Sequence, residues 1–224
     1  IAKARLVANP GCFSSAAILG LAPLMREGIA DLDRIIVDGL SGTAGAGAEL
    51  HRAAHHPEIG ANLVPYNVVG HRHTFEMEQE LALLAGKAVK VHFTPTYVPI
   101  VRGILDVCHV FPTRAVTRDE LLTLYRDFYR EQPFVLVYDL PKVIGASWQY
   151  KPYPWVSAVA GTNYCYVGLD VDERRGRSEH AHRGRLTSEA AEVRLGRVPG
   201  HLEIDGRVVG EDAVLVGERR AAPY

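Results

Sequence analysis

The sequence has little cysteine, almost no net charge and no long apolar run. Its three cysteines, Cys12, Cys108 and Cys165, are odd in number and far apart. That argues against a disulfide framework and for a reducing compartment, the cytosol. A formal net charge of −1 gives neither nucleic acid nor an anionic membrane an electrostatic reason to bind. No apolar stretch approaches the ~18 residues that a membrane span needs. No secretory signal is expected, because residues 1–8 run directly into Asn9-Pro10-Gly11. Lysine is missing from residues 174–224, which carry ten arginines and no aromatic residue before Tyr224. What is present is ordinary for a globular protein: 224 residues, 47% hydrophobic and 23% charged, enough for one or two domains with a real core.

Residues 16–27 read as a largely buried helix, with Pro23 as a kink and Gly28 as its stop. Residues 34–38 read as a β-branched strand, followed by a loop of small residues from Ser41 to Gly47. Residues 49–70 look irregular. Residues 74–85 read as a helix capped by Thr74. Strands are expected over 89–94 and within 102–111. Residues 117–130 carry a capping box, Thr117 with Glu120, and one apolar stripe of Leu121, Leu124, Tyr125 and Phe128. Two more strands are expected at 134–140 and 164–170, and Asp205-Gly206 suggests a hairpin within 202–209. Strands alternate irregularly with helices, so the expected class is α+β or α/β, with a mixed β-sheet and helices on one face.

Cys12 is the strongest chemical candidate. It follows a tight Asn-Pro-Gly turn and precedes a helix, where unpaired N–H groups and the positive end of the dipole favour thiolate over thiol. Ser14 and Ser15 would help cap that helix. The alternative is a small buried hydrophobe, which is the expectation for Cys108 and Cys165. His71-Arg72-His73 sits just before a helix that carries Glu76, and a thiolate nucleophile needs a titratable partner of this kind. The zinc reading of His71-x-His73 lacks the remaining ligands, so no metal is expected. His51, His55 and His56 read as a solvated loop. The Ser41–Gly47 loop could cradle phosphate through backbone N–H groups. Its glycines, Gly42, Gly45 and Gly47, have the wrong spacing for a dinucleotide fingerprint. Arg102 ends a Pro-rich loop and suits a carboxylate or phosphate. Trp148, Tyr150, Tyr153 and Trp155 suggest a packed loop or a subunit interface.

Taken in order, these segments resemble the N-acetyl-γ-glutamyl-phosphate reductase family. Val7-Ala8-Asn9-Pro10-Gly11-Cys12 is similar to its nucleophile motif, and Ser41–Gly47 to its Ser-Gly loop. The run from Gly70 to Leu81 resembles its histidine motif, residues 93–103 its Pro-rich loop, and Gly161-Thr162-Asn163-Tyr164-Cys165 a late signature. The aspartate-semialdehyde dehydrogenases are more distant relatives. The resemblance implies that the Cys12 thiolate attacks an acyl phosphate, phosphate leaves, and NADPH reduces the thioester to the semialdehyde. His71 or His73 then handles the proton. His73 is preferred because it adjoins the helix carrying Glu76, which could orient it. Arg102, Asn9, Ser41 and Gly42 would contact substrate, and Gly45 and Gly47 the NADP(H) cofactor.

Two departures from the family pattern stand out. No Gly-rich fingerprint precedes the cysteine motif, and no Asp-Asn-Leu-x-Lys-Gly-like stretch lies within 177–224. The expectation is a catalytic and dimerisation domain over residues 1–176, a divergent or frame-shifted tail over 177–224, and an incomplete cofactor site. Partners would be the acyl phosphate, inorganic phosphate and further copies of the chain, as a dimer or tetramer. Alternatives are the amino-adipyl-phosphate reductase of lysine biosynthesis, a cofactor-independent Cys/His acyltransferase, and a dimer module without catalysis.

Overall fold

The computed structural model describes residue 6, residues 9–139 and residues 153–172, together with the backbone of 186–191, 203–204 and 207–208. Five helices are described: α1 (Cys12–Arg26), α2 (His56–Ile59), α3 (Arg72–Ala85), α4 (Arg118–Phe128) and α5 (Val156–Val159). The strands are β1 (Ala30–Ser41), β2 (Val64–Pro65), β3 (Val91–Tyr97), β4 (Ile104–Pro112), β5 (Val135–Tyr138), β6 (Cys165–Val171), β7 (Leu186–Ala191), β8 (Glu203–Ile204) and β9 (Arg207–Val208). Seven of them form one sheet in the order β2-β3-β1-β4-β7-β6-β5. The sheet is mixed: β1 with β3 and β5 with β6 are parallel, and the other pairs are antiparallel. This matches the expected class. β8 and β9 pair antiparallel as the expected hairpin.

α1 is the central helix. Every residue from Phe13 to Met25 is buried, because the helix is apolar all round and lies between the sheet and its neighbours α3 and α4. It begins at Cys12, four residues before the expected start, and runs through Pro23. A proline in mid-helix leaves the carbonyl four residues earlier without its N–H partner. That carbonyl is Leu19, and it accepts instead from the Tyr129 hydroxyl at 2.6 Å. The neighbouring Gly20 carbonyl accepts from the Tyr125 hydroxyl at 2.6 Å. Two tyrosines at the end of α4 thus make Pro23 tolerable. The helix stops as expected at Gly28, whose φ is +64°. Gly28 N–H bonds to Met25 and Ile29 N–H to Leu24, the paired closing bonds of a Schellman motif.

Strand alternation sorts the two faces of the sheet. Ile35 and Val37 of β1, Cys108 and Val110 of β4, and Val167 of β6 are buried with the helices. Asp106 of β4 is also fully buried, facing the backbone of Ala17, and burial pushes its carboxyl well above the usual carboxylate range. The opposite face presents Ile36, Leu40, Val107 and Phe111 half-buried, with Tyr138 stacked on Tyr166.

Composition sets residues 177–224 apart. Yet Leu186–Ala191 runs as a strand inside the main sheet, between β4 and β6. Main-chain hydrogen bonds, indifferent to an Arg-rich composition, place it there. Trp148 and Tyr150 lie outside the described residues.

Candidate active site

The site gathers where the first turns of α1 and α3 meet. Gly11 is the N-cap of α1, and no side chain of its own caps that end. The cap comes from α3: Glu76 Oε1 accepts the Gly11 N–H at 2.8 Å, and Glu76 Oε2 accepts the Ser14 hydroxyl at 2.6 Å. Ser14 and Ser15 therefore do not cap as expected. Ser14 donates to Glu76, and Ser15 donates back to the Gly11 carbonyl at 2.9 Å. A Cβ on Gly11 would fall 2.4 Å from His73 Cδ2 and Nε2 and 2.6 Å from Glu76 Oε2. Only glycine lets the two helices close this tightly.

This contact presses His73 against the residue preceding Cys12. Cys12 itself is half-buried and outside any disulfide. α3 starts at Arg72 and not at Thr74, and its cap is His71, whose Nδ1 accepts the His73 N–H at 3.1 Å. A neutral His71 with that acceptor carries its proton on Nε2. His71 and His73 stand 4.7 Å apart, centroid to centroid, and each meets the Phe13 ring edge-on. Burial lowers both imidazoles. His73 is pushed down to about 4, with His71 and the Arg72 guanidinium adding to the effect, and His71 is lowered by burial and by Arg72. His73 Nδ1 is buried without a hydrogen-bond partner among the described residues.

The sequence reading missed Tyr66, which lies in the stretch expected to be irregular. Its ring stacks on Tyr97 at 4.3 Å and meets His71 edge-on at 5.6 Å. Burial, Tyr97 and Cys12 together raise its hydroxyl, so it stays protonated. The nearest signal was the pair of inward-facing aromatics on β3, Phe93 and Tyr97, against which a further ring can pack. His51 reaches the outer edge of this cluster, 5.9 Å from Tyr97. His55 and His56 stay exposed.

Ser41 pairs with Tyr97 at the same end of the sheet. From there the Ser41–Gly47 loop packs on the Pro-rich loop. Gly42 N–H bonds to the Gly103 carbonyl, Thr43 N–H to Ile100 and Ala44 N–H to Val101. Gly45 N–H and Gly47 N–H bond back within the loop, to Gly42 and Ala44. These five N–H groups already have protein partners, which counts against a phosphate cradle built from them. Gly42 earns its place through close packing, since a Cβ there would lie 2.8 Å from the Arg102 backbone nitrogen. Ser41 is buried, with its hydroxyl bonded to the Gly42 carbonyl. Arg102 and Asn9 are exposed, and Arg102 makes no ion pair among the described residues.

Residues 12–180 match the family described as semialdehyde dehydrogenase, dimerisation domain. The chain belongs to this family. Among curated relatives, the N-acetyl-gamma-glutamyl-phosphate reductase of Desulforudis audaxviator is 47% identical over 174 residues, 78% of this chain and 47% of that protein. The reductase of the same name from Methanocaldococcus jannaschii is 43% identical over 174 residues, 77% of this chain and 47% of that protein. The chain spans about half the length of the curated relatives it matches. Among solved structures, aspartate semialdehyde dehydrogenase from Francisella tularensis aligns with a TM-score of 0.59 at 16% identity, over 82% of this chain and 59% of that one. Aspartate semialdehyde dehydrogenase II from Vibrio cholerae gives 0.55 at 16% identity, over 83% of this chain and 56% of that one. At that identity the likeness is one of fold. Within this domain Cys12 opens α1, and His71 and His73 open the adjoining α3. Among its described residues no helix is long and apolar enough to cross a membrane.

Proposed function

We propose that this chain is the cysteine-bearing half of an acyl-phosphate reductase that converts N-acetyl-γ-glutamyl phosphate to its semialdehyde in cytosolic arginine biosynthesis. The observation that carries the reading is the junction of α1 with α3, where the Glu76–Gly11 bond sets His73 against the residue that precedes Cys12. The relatives, named as N-acetyl-gamma-glutamyl-phosphate reductases, supply the substrate.

Cys12 opens α1, so its sulfur lies at the positive end of the helix dipole, which favours the thiolate. The sulfur attacks the acyl carbon, the carbon–oxygen bond to phosphate breaks, and inorganic phosphate leaves with the bonding electrons. His71 is the better placed of the pair to donate a hydrogen bond to the acyl oxygen as negative charge develops on it. Its Nδ1 is anchored on the His73 N–H, so its Nε2 proton has a fixed direction, and its ring meets Tyr66 edge-on at 5.6 Å. The case for His73 was orientation by Glu76, but both Glu76 oxygens accept hydrogen bonds from α1. Arg102 lies beside the Ser41-Gly42 corner and supplies an exposed cation for the substrate's anion, with exposed Asn9 as a further contact. Reduction of the thioester needs a hydride donor such as NADPH. The N–H groups of Gly42, Thr43, Ala44, Gly45 and Gly47 already have protein partners, so that cofactor's phosphates would be held by other groups.

The half-buried face of Ile36, Leu40, Val107 and Phe111 gives the domain a surface for self-association, consistent with the family's description.

The test is acylation. The chain mixed with freshly generated N-acetyl-γ-glutamyl phosphate should gain one acyl mass on Cys12 and release one equivalent of phosphate. Cys12→Ser should do neither. His71→Ala should slow acylation at least ~10²-fold, and a larger loss with His73→Ala moves the proton role to His73. Phosphate release without a mass gain on Cys12 defeats the reading.

A further inference from the structure

The N-terminus of α1 is built by another helix. In a self-contained capping box, a long acid at the third helical position reaches back to the N-cap N–H. In α1 that position is Ser14, which is too short, and the first turn has no acid. Glu76 supplies the missing carboxylate from α3, 65 residues along the chain. One of its oxygens takes the Gly11 N–H, and the other takes the Ser14 hydroxyl. The box is therefore split across two helices, and Cys12 lies inside it, between Gly11 and Ser14.

We propose that Glu76 is a positioning residue that caps α1 from α3, fixes the turn that carries Cys12, and tempers the charge on its sulfur. This rests on the reading of Cys12 as the nucleophile. The physics has two parts. First, the two hydrogen bonds hold the Gly11 backbone on one side of Cys12 and the Ser14 side chain on the other, so the sulfur leaves from a fixed point. Second, a carboxylate at a helix N-terminus offsets the positive end of the dipole, the same field that would ionise the thiol. A thiolate that is less stabilised is intrinsically more nucleophilic. The other titratable or charged groups around this turn are His71, Arg72 and His73 of α3, Tyr66, and Tyr97 of β3. They are unchanged in a Glu76 variant, so the difference between parent and variant isolates Glu76.

The experiment measures the alkylation rate of Cys12 by iodoacetamide against pH, in the full chain, read on the Cys12 peptide by mass spectrometry. Glu76→Gln keeps an acceptor for Gly11 and removes the charge. Its titration midpoint should fall by about one pH unit, giving up to ~10-fold more thiolate below the midpoint. Glu76→Ala should show the same fall and also a lower melting temperature. An unchanged or raised midpoint in a folded Glu76→Gln chain overturns the proposal. So does a fall seen with Ala and absent with Gln, which marks loosening alone. Labelling needs no acyl phosphate. A shifted midpoint in a chain that fails to acylate rejects the reductase reading and keeps Glu76, and an unshifted midpoint in a chain that acylates rejects Glu76 alone.

Discussion

Two helix starts in this molecule solve one problem in opposite ways. α4 caps itself: Thr117 accepts the Glu120 N–H at 3.2 Å, and Asp119 and Glu120 place acid in the first turn. α1 has a glycine cap and no acid, and takes its cap from α3. A self-capped helix depends on four neighbouring residues and can form wherever the chain goes. A helix capped from elsewhere has a finished end only when the tertiary structure is in place. The nucleophile of the proposed reaction sits on the second kind. What looks like a poorer helix start is a start whose geometry is set by the histidine-bearing helix, through Gly11 and Ser14 on either side of Cys12.

The largest effect should come from removing the close approach. Gly11→Ala puts a methyl group 2.4 Å from the His73 ring and 2.6 Å from Glu76 Oε2. Backbone and ring must separate, at a cost of ~1–3 kcal/mol, and the Glu76–Gly11 bond lengthens with them. Urea unfolding should report the lost stability, and acylation of Cys12 should fall far more than stability alone explains. Equal retention of both would show that the α1–α3 junction is looser than its contacts imply.

Acid should separate the two regions next. His73 is buried and lowered to about 4, while an unfolded histidine titrates near ~6.5. The unfolded chain therefore binds a proton first. The sign follows: stability contributed by the neutral ring is present above pH ~6.5 and is lost as pH falls toward 4, with His71 acting in the same direction. Hydrogen exchange at pH 7 and pH 5 should show protection falling at the α1–α3 junction before it falls in α4. His73→Gln should flatten that difference. Uniform loss of protection across both helices would mean that the junction does not open by itself.

The sequence was legible where structure is local. The Thr117–Glu120 box placed the start of α4 correctly, and Gly28 correctly ended α1, because each signal lies beside the feature it causes. The motifs around Cys12 and His71 likewise named the family. Misplaced features had distant causes. The start of α1 was set four residues late because its cap is Glu76. Thr74 looked like the cap of α3, but the His71 ring, three residues earlier, accepts the His73 N–H. Pro23 looked like a kink, and only Tyr129, 106 positions later, shows why the helix continues. The Ser41–Gly47 loop looked free to hold phosphate, because no local pattern reveals that carbonyls of residues 100–103 occupy its donors. Tyr66 was hidden in an irregular stretch, and β7 in a stretch whose composition says nothing about main-chain pairing.

The smallest effect is the control that gives the comparison its meaning. Thr117→Ala removes the side-chain oxygen that accepts the Glu120 N–H and should cost about 1 kcal/mol. That approaches the lower end of the loss expected for Gly11→Ala, so stability by itself would not distinguish the two helix starts. Function should. α4 reaches α1 through Tyr125 and Tyr129, which bond the Gly20 and Leu19 carbonyls, well inside α1 and two turns from Cys12. A frayed first turn of α4 leaves those tyrosines in place, since both lie at the opposite end of that helix. The iodoacetamide midpoint of Cys12 in Thr117→Ala should therefore equal that of the parent, and acylation should persist. A shifted midpoint would mean that the self-capped helix also governs the nucleophile, and the division between local and borrowed helix ends would then fail.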